Sequence, residues 1–78
     1  MDYDPNKVDD VVLALLYLNM FDDGFGNTRA WKSFNWDAMD RLYEKGYIDD
    51  PKSKSKSVFM SEEGITRAEE LFRRFFMV

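Results

Sequence analysis

Cysteine and histidine are both missing from this 78-residue chain, and only four glycines and two prolines interrupt it. Without cysteine there is no disulfide staple, no thiolate metal ligand and no thiol nucleophile. Without histidine, triads built on an imidazole base are excluded. So are the commonest metal ligand and the one side chain that ordinarily titrates near neutrality. Gly24 and Gly26 lack the further glycine, the lysine and the following helix of a phosphate-cradling loop. The longest apolar run, from Val11 to Tyr17 and on to Phe21 past Asn19, is too short to cross a bilayer. No basic stretch of a secretion signal precedes it. A soluble, cytoplasmic protein is the expectation. Positive charge is also scarce: the net charge is −4, and residues 1–27 carry six aspartates against Lys7 alone. A nucleic-acid binder usually shows a basic balance or a clear basic stripe.

What is present is apolar. Hydrophobic residues make up 45% of the chain and aromatic ones 17%. Large rings bury the most area per residue. They offset the small size of a chain that buries only about 60% of its unfolded surface. A single domain over residues 1–78 is expected.

Asp4 and Pro5 suit the N-cap and first position of a helix. Val8, Val11, Val12, Leu15 and Leu16 follow at helical spacing, and Leu13, Tyr17 and Met20 form a second apolar stripe. A helix apolar over most of its girth is either covered on two sides or lends one stripe to a second subunit. The turn "DDGFGNT" (Asp22 to Thr28) ends it. As a calcium loop this stretch fails, because Phe21 and Ala30 stand where oxygen ligands are required. "RAWKSF" (Arg29 to Phe34) reads as a short strand or an irregular link. Trp31, Phe34 and Trp36 are expected to cap the core, although such a cluster also suits stacking of unpaired bases.

A second helix is predicted from Trp36 to Lys45, with Asn35 as N-cap, a Phe34–Met39 staple and Gly46 at its end. Met39, Leu42 and Tyr43 would face inward; Asp37, Asp40, Arg41, Glu44 and Lys45 would face solvent. Tyr47-Ile48 and Val58-Phe59-Met60 read as a β-hairpin around the polar loop "DDPKSKSKS". Ser61 caps a last helix, whose stripe is Ile65, Ala68, Phe72, Phe75 and Phe76. The carboxylate pairs Asp9-Asp10, Asp22-Asp23, Asp49-Asp50 and Glu62-Glu63 are sequence neighbours, which point apart on a helix, and are expected to be solvated.

The fold class predicted is α+β, a small winged-helix-like domain of three helices with one β-hairpin as the wing. Leu42, Gly46 and Ile48, then Met60, Ser61 and Gly64, stand where "LxxxGxI" and "LTxxG" patterns occur in winged-helix regulators of the multiple-antibiotic-resistance type, which this half of the chain resembles. Nearly the whole chain also resembles a family of small bacterial proteins of unknown function. "KVDDVVLALLYL", "RAWKSFNWDAMDRLYEKGYI" and "KSVFMSEEG" carry that resemblance. It implies no activity.

These readings lead to a non-catalytic interaction module, protein-binding or self-associating, with no catalytic, cofactor-binding or metal-ligating residue. Leu13, Tyr17, Leu71, Phe75 and Val78 are the candidate interface with a second copy or an unknown protein partner. A weak or accessory DNA-binding regulator ranks second, with Lys52, Lys54, Lys56, Arg29 and Lys32 as the phosphate contacts. DNA is not favoured, because Asp37, Asp40 and Glu44 outnumber Arg41 and Lys45 on the helix that would read the bases. A small acidic inhibitor that mimics DNA ranks third.

Overall fold

In the computed structural model, which describes residues 1–78, six elements follow one another. They are α1 (Pro5–Leu18), β1 (Met20–Asp22), β2 (Thr28–Trp31), α2 (Trp36–Glu44), β3 (Ser57–Phe59) and α3 (Glu62–Phe76). The class is α+β, three helices with a three-stranded antiparallel sheet in the order β1-β2-β3. No helix is long and apolar enough to cross a membrane.

The cap of α1 is as predicted: the Asp4 carboxylate accepts from the Asn6 N–H at 2.9 Å, and Pro5 begins the helix. Its end differs. The helix stops at Leu18, and Met20, expected on a helical stripe, belongs to β1. The cause lies in the turn beyond it. The Asp23 carboxylate accepts from the backbone N–H groups of Phe25 (2.7 Å) and Asn27 (3.2 Å) and from the Asn27 side chain (3.1 Å). These bonds, the one from Phe25 foremost, hold its carboxyl below the usual range. They reverse the chain so tightly that Met20 comes to face Ala30 and Asp22 to face Thr28.

"RAWKSF" therefore begins as the central strand. The hairpin expected between Tyr47-Ile48 and Val58–Met60 shrinks to a single bridge, Ile48 to Met60. The strand partner of β3 is β2 instead, with Arg29 opposite Phe59 and Trp31 opposite Ser57. Alternation on β2 then sorts the side chains. Ala30, like its partner Val58, is fully buried against the helices, while Arg29 and Trp31 lie on the other face.

Both ends of α2 follow the predicted chemistry. The Asn35 side chain accepts from the Ala38 N–H at 3.1 Å. Gly46, at φ 81°, lets its own N–H reach the Tyr43 carbonyl (3.0 Å) and the Tyr47 N–H reach the Leu42 carbonyl (3.1 Å). The start of α3 is built onto this ending. Ser61 Oγ accepts from the Gly64 N–H (2.9 Å) and donates to the Gly46 carbonyl (2.6 Å). The core closes around α1, which packs on both α2 and α3. Leu13 and Leu16 of α1, Met39 and Leu42 of α2, and Ala68 and Leu71 of α3 are its centre. Trp31, Trp36 and Tyr43, expected to face inward, are exposed. The core is filled by aliphatic side chains and methionine, and the short α2 presents only one narrow face to it.

Gly64 is where α3 comes closest to the chain leaving α2. A Cβ placed there would lie 2.1 Å from the Tyr47 carbonyl oxygen. Gly64→Ala is expected to destabilise the fold by about 2–3 kcal/mol through overpacking against backbone. Urea denaturation followed by far-UV circular dichroism measures this; an unchanged midpoint would show that α3 can shift without penalty.

Candidate functional site

The five candidate phosphate contacts have different fates. Arg29 and Lys32 are turned to structure. Arg29 Nε donates to Ser57 Oγ (2.6 Å), and its Nη2 donates to Ser55 Oγ (3.1 Å) and the Ser57 carbonyl (2.9 Å). Lys32 Nζ donates to the carbonyls of Pro51 (2.6 Å) and Ser53 (2.8 Å). Together they clamp the loop 50–56 onto β2, and the Lys32 N–H adds a bond to the Lys56 carbonyl at 3.1 Å. Lys52 lies 4.0 Å from the Asp40 carboxylate. Lys54 and Lys56 are exposed, and no carboxylate lies within ion-pair reach of either.

Folding the loop back creates a groove of about 500 Å³ lined by Trp31, Trp36, Lys32, Lys54, Lys56 and three serines. It continues onto the outer face of the sheet. There Trp31 stacks on Phe21 with ring centroids 4.6 Å apart, and the Arg29 guanidinium sits 3.8 Å above the Phe59 ring. Phe21, Arg29 and Phe59 form one cross-strand row on this face. Sequence reasoning placed both tryptophans in the core. The signal that could have placed Trp31 outside was the alternation Arg29-Ala30-Trp31, with the one small apolar residue between two large amphipathic ones.

Of the candidate partner residues, Leu13 and Leu71 are core, at 1% and 0% exposure. Tyr17 is half-buried against Phe72, with ring centroids 5.0 Å apart. Phe75 and Val78 are exposed. The surplus stripe of α1 exists, but at a different angle from the one expected. Leu15 is half-buried and Val11 and Leu18 are exposed, a single row opposite the buried Val12, Leu13 and Leu16, while Val8 packs against the core.

Asp9, expected to be solvated, is instead completely buried between α1 and α2. Arg41 Nε donates to both its oxygens at 2.9 Å, and Lys45 Nζ donates to Oδ2 at 2.9 Å. Arg41 Nη2 lies 2.8 Å from Oδ1, held there by charge without an aligned N–H bond. Burial alone would raise the Asp9 pKa; the bonds from Arg41 and Lys45 outweigh it and hold the carboxyl below its ordinary value. Arg41 and Lys45, assigned to solvent by their position on α2, are thus turned toward α1. Residues one turn apart on a helix share a face, so a single carboxylate meets both.

Residues 4–78 match the family model described as "Domain of unknown function (DUF6429)". The chain is 50% identical over 76 residues, 97% of each chain, to the "Uncharacterized protein y4hR" of Sinorhizobium fredii. No solved structure matches it.

Asp9→Asn would leave two cations facing a neutral amide. Because Arg41 and Lys45 both reach solvent, the cost is expected at roughly 2–3 kcal/mol, below that of breaking a fully buried pair. The Asp9 pKa is lower in the folded state than the ordinary 3.8. Its contribution is therefore complete above about pH 4 and is lost as pH falls through the lowered folded value. Chemical denaturation at a series of pH values checks this. The wild type should lose stability more steeply than Asp9→Asn as acid is added below pH 4; parallel curves would contradict the assignment.

Proposed function

We propose that this chain, which belongs to the DUF6429 family of domains of unknown function, is a non-catalytic module that associates with a second copy of itself through the outer face of α1. The observation that carries this reading is the row Val11, Leu15 and Leu18, in which Val11 is 40% and Leu18 63% exposed. These three apolar residues span eight positions, about 10 Å of helix. Such a row is self-complementary when two helices pack about a two-fold axis. Phe75, Phe76 and Met77 add exposed apolar surface at the end of α3.

The absence of histidine and cysteine supports a non-catalytic role. So does the state of Asp9, the one ionisable side chain that is fully buried. It is neutralised by two cations and held ionised, whereas a general acid or base works best with a pKa near the operating pH. The disposition of cations weighs against reading duplex DNA in the winged-helix manner. Arg41 of α2 and Lys45 at its C-cap are bound to Asp9, while Asp37 and Glu44 of the same helix face out.

Sedimentation equilibrium tests the reading. The wild type is expected to be dimeric, and Leu18→Asp or Val11→Asp to be monomeric with an unchanged circular dichroism spectrum, since neither side chain is in the core. A wild type that stays monomeric at millimolar concentration would refute self-association.

A further inference from the structure

We propose that the groove between β2 and the lysine loop, together with the adjoining outer face of the sheet, is a binding site for single-stranded nucleic acid. Both tryptophans of the chain line this groove, and so do three of its eleven basic residues. None of the eight lining residues is acidic, although acids outnumber bases 15 to 11 in the whole chain. In a protein of net charge −4, this is a local inversion of sign, and it coincides with the exposed indoles.

The aromatic surface is presented rather than packed. Trp36 is 60% exposed and Trp31 51%, and Trp31 is held flat on Phe21. Phe59, also exposed, carries the Arg29 guanidinium across its ring. Unpaired bases stack on such surfaces irrespective of sequence, on indoles and on arginine planes alike. The Lys54 and Lys56 side chains are free for phosphates, since Arg29 and Lys32 are the cations that hold the loop in shape. Lys32 Nζ, bonded to two carbonyls, also lies at the groove and adds a third cation to its lining.

Rings and cations together select the ligand. A duplex keeps its bases stacked on each other and offers the exposed indoles no free base faces. An acidic peptide would use the lysines and leave the indoles idle. A sugar would use the indoles and leave the lysines idle. A single strand offers free base faces at intervals along an anionic backbone and engages both.

Because both tryptophans lie at the groove, intrinsic fluorescence reports on the site directly. Oligothymidylate titrated into the full chain at low salt is expected to quench it saturably. Affinity should fall with salt at a logarithmic slope near 0.7 per phosphate contacted. Trp36→Ala is expected to weaken binding about fivefold or more. Lys54→Gln with Lys56→Gln should weaken it and flatten the salt slope. All three side chains are exposed, so an unchanged circular dichroism spectrum should accompany each variant. The proposal is overturned if oligothymidylate causes no quenching, or if affinity is the same in every variant. Equal affinity for a hairpin duplex or for polyglutamate would overturn it as well.

Discussion

A carboxylate stays ionised inside a protein only where cations or hydrogen-bond donors meet it, and Asp9 is met by Arg41 and Lys45 at once. The two bases lie one turn apart on α2, so the bonds fix the rotation of α2 about its own axis as well as its contact with α1. A buried ion cluster of this kind contributes little net stability over a well-packed apolar one. What it supplies here is geometry, because any other register of α1 against α2 would leave a charge unmet. The consequence reaches the surface: with its bases turned inward, α2 shows solvent Asp37 and Glu44.

The same use of cations recurs at the sheet. Lys32 and Arg29 bond to carbonyls and hydroxyls of the loop 50–56 and fold it against β2. The loop is rich in serine and lysine, a composition that favours solvation, yet these bonds give it a defined path, with Pro51 fully buried beneath it. A mobile basic loop would present its charge to no fixed place. A clamped one sets Lys54 and Lys56 beside Trp31 and Trp36, and so turns two unremarkable lysines into part of a shaped surface.

Small size shapes the rest. With one helix central to the core, α1 serves α2, α3 and the sheet together, and its outer side is left uncovered. The apolar row left there is the surface that the proposed pairing with a second copy would cover. The outer face of the sheet is uncovered as well, since α1 packs against β2 and the inward-facing Ala30 and Val58 belong to the common core. Two exposed surfaces of different chemistry, one aliphatic and one aromatic with lysines, thus follow from a single layer arrangement.

Much of the fold was legible because much of its chemistry is local. The Asp4, Asn35 and Ser61 caps, the Gly46 ending of α2 and the reversal at Asp22 to Thr28 each depend on side chains within a few residues of the backbone groups they bind. Those bonds form wherever the rest of the chain goes. The surfaces were not legible in this way. Asp9 meets Arg41 across 32 residues and Arg29 meets Ser57 across 28, and no local pattern marks either pair. In α1, apolar residues run almost around the helix, so periodicity carries no phase and cannot say that Leu13 is core while Leu18 is exposed. The amino-acid sequence by itself determined the caps, the turns and the helices, through contacts that a few neighbouring residues complete. Only the tertiary structure decided which faces turn outward, because burial is a property of the partners that arrive from elsewhere in the chain.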